Sequence, residues 1–169
     1  AAYSEKHVVT VRDGQLNIAL SSVRDNPKIS AIKVAQLEMS ALFVVGNAAN
    51  LAPSDLAISN RLQGYGYTVQ VVSDALSTTT DATGKDLVLI SSTVSSGNVN
   101  TKFRDVTVPV INWEYLLEDD FGFTGDTDAL RNTVGSQTHI NITNSAHQLA
   151  AGLSGIQAVT ITPSVFSWG

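Results

Sequence analysis

The hydrophobic period of this chain changes near residue 39, and that change constrains the fold more than any other feature. Before it, apolar residues recur at every second position in "HVVTV" (7–11), "QLNIAL" (15–20) and "ISAIKVAQLE" (29–38). A period of two marks a half-buried strand. "RDG" (12–14) reads as a hairpin turn, with Gly14 supplying the positive φ such a turn needs. "SSVRDNPK" (21–28) is a loop in which Pro27 removes a ladder donor. The third strand is expected to bury Ile29, Ala31 or Ile32, and Val34, according to register. Three antiparallel strands without a covering layer do not hold a core, so a packing partner is expected.

From residue 41 the pattern is different. "ALFVVG" (41–46) is an unbroken apolar run, as in a strand covered on both faces. "APSDLAISNRLQGYG" (52–66) has helix grammar: Pro53 in the first turn, Asp55 at the positive dipole end, apolar Leu56, Ile58 and Leu62, and Gly64 or Gly66 as the stop. Strands are expected at 67–72, 86–91, 108–113, 138–143 and 157–162, a weak helix at 96–105 and a helical turn at 114–122. Strands alternating with helices imply βαβ units and a mainly parallel sheet with helices on both faces. The chain therefore reads as α/β, with an antiparallel β segment at 1–39 followed by a parallel three-layer domain at 40–169. Residues 120–137 read as an irregular surface excursion.

Composition narrows the function classes. Hydrophobic residues are 43% and charged residues 15%, which suits a packed core and not a disordered chain. The net charge of −5 and the scattered Lys and Arg argue against nucleic-acid binding. No apolar run approaches the ~20 residues of a membrane-spanning helix. Cysteine is absent, which removes disulfides, thiolate catalysis and thiolate metal sites together. Low charge with abundant Ser, Thr, Asn and Gly suits a secreted, extracellular bacterial module. Asn141-Ile142-Thr143 fits the glycosylation sequon.

Open α/β sheets bind ligands at the carboxyl ends of their strands. A dinucleotide site needs three glycines in the first strand-to-helix turn, and here Gly46 stands alone before Asn47. The serine-rich loop 91–97, with Ser91, Ser92 and Ser95, has hydroxyls and amides suited to a small polar ligand. The same groups suit capping of the following helix. It lacks the G-x-S-x-G elbow of a serine hydrolase. Asn112 and Glu114 end another strand, where a carboxylate is placed to act as a base; Trp113 between them reads as core. His7, His139 and His147 lack metal-ligand spacing. The candidate ligand set is thus Asn47, Ser91, Ser92, Ser95, Asn112, Glu114 and His147. No catalytic residue, metal or cofactor is expected.

Two resemblances cover most of the chain. Val11, Asp13, Gly14, Leu16 and Ile18, then Asn26, Pro27, Ile29 to Ile32 and Val34, fit "V-x-D-G-x-L-x-I" followed by "N-P-x-I-S-A-I-x-V". That resembles the closing strands of a malectin-like carbohydrate-binding β-sandwich. "LFVVGN", "DLVLISSTVSSG", "VPVINWE" and "HQLAAGLSG" resemble flavodoxin-like α/β modules related to class I glutamine amidotransferases and trehalose-utilisation-type proteins. The resemblance implies a flavodoxin-like sheet, and a domain that continues beyond Gly169. In amidotransferases a nucleophilic cysteine follows a central strand; the comparable turn here, Asn112-Trp113-Glu114, has no thiol. The expected function is a non-catalytic extracellular accessory or structural module of a larger carbohydrate-associated protein or assembly. Its expected partners are the rest of that polypeptide, neighbouring copies or polysaccharide. The alternatives are a filament subunit completed by strand exchange between copies, and a hydrolase-like or small-ligand-binding domain using the strand-end loops.

Overall fold

The structure is a computed structural model that describes residues 5–7, 9, 11, 15–19, 31–34, 38–125 and 128–168. The chain divides into two compact units, Ala1–Gln36 and Leu37–Gly169. In the first, none of the described residues belongs to a strand or helix. Much of the expected hairpin and third strand, including Gly14, Pro27 and Ile29, lies outside the described residues. Ala31, Ile32 and Val34 are described and are exposed, contrary to the expected burial. Among the described residues of this unit no strand or helix covers those side chains.

The second unit is α/β. Its centre is a four-stranded parallel sheet of β1 (Met39–Val45), β2 (Tyr67–Ser73), β3 (Leu87–Ile90) and β4 (Val110–Asn112), in the order β2-β1-β3-β4. Ala41 to Val45 are fully buried because both faces of the sheet are covered. One face carries Phe43, Val45 and Leu89 against Leu62 and Ile58 of α1 (Pro53–Gly64). The other carries Leu42, Val44, Val88 and Ile90 against Val99 of α2 (Ser96–Val99), Phe103 in the 3-10 turn that follows, and Leu117. Burial of each such side chain is worth roughly 1.5–3 kcal/mol, so this two-faced packing dominates the stability of the unit. α1 stops at Tyr65, and Gly66 follows at φ +89°, the left-handed turn that only glycine enters without strain.

After the sheet come two antiparallel pairs: β5 (Asn132–Gln137) with β8 (Ser164–Trp168), and β6 (His139–Ile142) with β7 (Gly155–Ala158). Two expectations need correction here. Residues 132–137 are a strand and not part of an irregular excursion: an antiparallel partner arriving from 164–168 gives the polar stretch "NTVGSQ" a ladder that its composition does not announce. The last strands are 155–158 and 164–168, not 157–162: the ladder with β6 ends where Ala158 meets His139, the first residue of β6, and Pro163 stands between the two strands.

Candidate functional site

The carboxyl ends of the parallel strands are where this architecture positions ligands, and here their loops are bonded to one another. Asp55, in the first turn of α1, is 1% exposed. Its Oδ1 accepts a hydrogen bond from Ser91 Oγ at 2.5 Å and its Oδ2 one from Thr93 Oγ1 at 2.8 Å. The Gly46 amide donates to Thr93 Oγ1 at 3.1 Å. A Cβ at Gly46 would run into the Thr93 carbonyl, so the lone glycine permits close approach of two strand-end loops. No backbone cradle for a phosphate is needed to explain it.

A second set of bonds continues the closure. The Ala48 amide donates to Ser73 Oγ at 2.8 Å. Buried Asp74 accepts from the Ala75 amide at 2.5 Å and, through Oδ2, from the Ser95 amide at 2.6 Å. Lys102 Nζ donates to the Asp74 carbonyl at 3.3 Å and to Ser77 Oγ at 3.4 Å. The loops after β1, β2 and β3 are thereby tied together by side chains that bond to one another and to backbone. Such a buried network is stable only while its members are satisfied.

The expected site residues separate into three groups. Ser91 and Ser92 both line a cleft of about 490 Å³, with Ser54 and Ser167 as further hydroxyls and Asp55 among them. Its apolar wall is Ile58, Trp113, Val165 and Phe166. Trp113, expected in the core, is 40% exposed because β4 is an outer strand and ends just before it. Asn112 and Glu114 form a clasp: Asn112 Nδ2 donates to the Glu114 carbonyl at 2.8 Å, and the Glu114 amide donates to Asn112 Oδ1 at 3.0 Å. Asn47, Ser95 and His147 are spent locally or elsewhere. Asn47 Oδ1 accepts from the Ala49 and Asn50 amides. Ser95 makes no side-chain cap of α2, contrary to expectation, and contributes its backbone amide to Asp74. His147 Nδ1 accepts from the Leu149 amide in a turn between β6 and β7. Asn141 is exposed in β6, opposite Ile156.

Sequence reasoning missed Asp55, Thr93 and Asp74 as members of the network. One signal was present: Asp55, Ser59 and Leu62 recur at i, i+4 and i+7, which puts them on one face of α1, and that face is the buried one. A carboxylate on the inward stripe of a helix needs donors, and the hydroxyls of the next strand-end loop supply them.

Glu114 is the one carboxylate of the expected set with altered acidity. Burial pushes its carboxyl above the ordinary 4.5, opposed by the Leu116 amide, which donates to Oε1 at 3.1 Å. Glu118 is raised as well, first by burial and then by neighbouring Asp119 and Glu114, with Arg131 opposing. Arg131 pairs with Asp119 at 2.8 Å, which fixes the start of β5 to this turn. A carboxyl raised in the folded state holds its proton where the unfolded chain has lost it, so its contribution is full below about 4.5 and is lost as pH rises through the folded value. Glu114→Gln keeps the acceptor for Leu116 without the charge. Its melting temperature is expected to equal the parent's near pH 4 and to exceed it increasingly towards pH 7, in thermal melts across that range.

Among the described residues no cluster of His, Asp or Glu has metal-binding geometry, and no helix is long and apolar enough to cross a membrane. Compared with known proteins, the chain matches no family model, no curated protein and no solved structure.

Proposed function

We propose that this chain is a non-catalytic, extracellular accessory or structural module of a larger carbohydrate-associated protein or assembly, built on a flavodoxin-like sheet. The observation that carries this reading is the self-satisfied strand edge: Asp55, Ser91, Thr93, Asp74 and Asn112, the groups placed to meet a substrate, are bonded to each other and to backbone. The parallel order β2-β1-β3-β4 supports the flavodoxin-like part, since it equals the first four strands of that topology. Low charge with abundant Ser, Thr, Asn and Gly supports the extracellular setting. The malectin-like pattern of residues 9–38 supports the link to carbohydrate. Asn141, exposed and within its sequon, is the proposed glycosylation position in a host that glycosylates.

The test is a set of amide NMR spectra recorded while nucleotides, inorganic phosphate and short oligosaccharides are added in turn. Resonances of residues 91–97 and 112–114 are expected to stay in place. Saturable shifts there would favour the rival reading, a small-ligand or hydrolase-like site using Ser92, Asn112 and Glu114.

One further observation favours a second reading, a filament subunit completed by strand exchange between copies. Both antiparallel sheets have only two strands among the described residues, so each of β5 to β8 has one outer edge, and unpaired edges accept strands from other chains.

A further inference from the structure

A charged contact ties the antiparallel part of the second unit to the parallel part. Leu117 and Phe121 are buried in the core beneath the sheet. Just beyond these two anchors the chain turns, and the Phe123 and Thr124 amides both donate to the Glu118 carbonyl, at 2.8 and 3.2 Å. This fixes the backbone from which Glu118 and Asp119 project. Arg131, the residue before β5, places its guanidinium against Asp119 at 2.8 Å. Among the described residues no other ion pair lies in this unit.

The carboxylates of that turn lack donors. Glu118 Oε2 and Asp119 Oδ1 are both buried, and neither accepts a hydrogen bond among the described residues. The charged groups that face Glu118 are Glu114 from the preceding turn, Asp119 beside it and Arg131 from the start of β5. Further along, Arg104 packs over Gly122. Burying a charged oxygen without a donor is costly, so the arrangement calls for an explanation. One proton removes the conflict. A protonated carboxyl is a donor as well as an acceptor, and it has no charge for Glu114 and Asp119 to repel. Burial is the leading influence on Glu118, ahead of the opposing Arg131, and it favours the same protonated form.

The contact also bears on the cleft. Asn132, next to Arg131, pairs with Trp168, and Thr133 pairs with Ser167. Val165, Phe166 and Ser167 of β8 line the cleft together with Ile58 and Trp113. What holds the start of β5 therefore holds the end of β8 and that lining. A two-stranded ladder is marginal alone, so this one depends on its anchor. We propose that Glu118 is a proton-operated clasp. With its carboxyl protonated, Asp119 and Arg131 stay paired and β5 is anchored to the turn. With it ionised, Glu118 contends with Asp119 for the guanidinium, and the β5–β8 ribbon loosens together with its side of the cleft. The ionised oxygen needs water, which reaches it only as the turn and β5 part. Because the folded state holds this proton more tightly, anchoring is full below about 4.5 and is lost as pH rises through the folded value. The clasp moves the chain's own ribbon and requires no ligand in the cleft.

Amide hydrogen exchange of the 169-residue chain, compared as protection factors at about pH 4.5 and about pH 7, tests the proposal. Protection in β5 and β8 is expected to fall several-fold further at the higher pH than that of Ala41–Val45 in β1, which reports opening of the whole unit. Glu118→Gln keeps the size of the side chain and cannot ionise. In this variant the gap between ribbon and β1 is expected to stay at its acid-pH value throughout, an effect that a merely structural carboxylate would not give. Should the variant fold poorly, the parent chain serves. The Glu118 carboxyl carbon and the Asn132 and Ser167 amides, followed by NMR across the same range, are expected to titrate together with a midpoint above 4.5. A fall in the ribbon no larger than that in β1, a glutamine variant that keeps the parent's pH dependence, or an Asn132 amide indifferent to the titration of Glu118 would each overturn the proposal.

Discussion

Asp55→Ala is expected to destabilise the protein by roughly 3–6 kcal/mol, because it removes two hydrogen bonds to a charged group at about 1.5–3 kcal/mol each. The carboxylate is 1% exposed and takes the hydroxyl hydrogens of Ser91 and Thr93. Without it the two hydroxyls face a cavity, and Thr93 loses the partner that holds it beneath the Gly46 amide. The loss would consume a large part of the ~5–15 kcal/mol that holds an ordinary domain together. Asp55→Asn should fall between parent and alanine variant, since an amide accepts from one hydroxyl and presents donors to the other. Urea titration at neutral pH measures all three. A loss below about 1 kcal/mol for the alanine variant, the size of an ordinary surface effect, would remove Asp55 from the centre of the account.

Gly46→Ala is expected to cost roughly 1–3 kcal/mol, the usual range for forcing an extra methyl group into a packed site. The obstacle is steric, since Gly46 is not among the residues with positive φ, and the backbone conformation is open to alanine. What the methyl group meets is the Thr93 carbonyl, part of the main chain with no rotamer to yield. The loops after β1 and β3 would have to part, stretching the 3.1 Å bond from the Gly46 amide and moving Thr93 away from Asp55. The same substitution at Gly64, where nothing lies within 4 Å of the added carbon, is the control. It should cost nothing and gain a few tenths of a kcal/mol from better helix propensity. If thermal melts place the two variants together, the tight crossing at Gly46 is not what orders this edge.

How much of this was legible in the sequence depends on the range of the interactions involved. "ALFVVG" and the helix that follows declared themselves because continuous burial and capping residues are local signals. β3 and β4 were legible for the same reason. β5 was not, because "NTVGSQ" is a strand only through its pairing with distant residues, such as Asn132 with Trp168, 36 positions later. Trp113 reads as core by its type, yet its exposure is decided by which strand is outermost, and that follows from sheet order. The serines of loop 91–97 were legible as a polar patch, but whether they serve a ligand, a helix cap or a neighbouring carboxylate depends on Asp55, 36 residues away from Ser91. Asp55 itself reads as a residue suited to the helix dipole, and only its place on the inward face of α1 distinguishes it.

The account rests on the polar groups at the sheet's carboxyl edge being one another's partners. A double-mutant cycle on Asp55 and Ser91, with Asp55→Ala, Ser91→Ala and the pair compared by urea denaturation, measures that directly. A coupling of about 1.5 kcal/mol or more between the two positions is the predicted result, as expected for a buried hydrogen bond to a charged acceptor. Losses that simply add, with coupling near zero, would show that the two side chains do not depend on each other and would contradict the account.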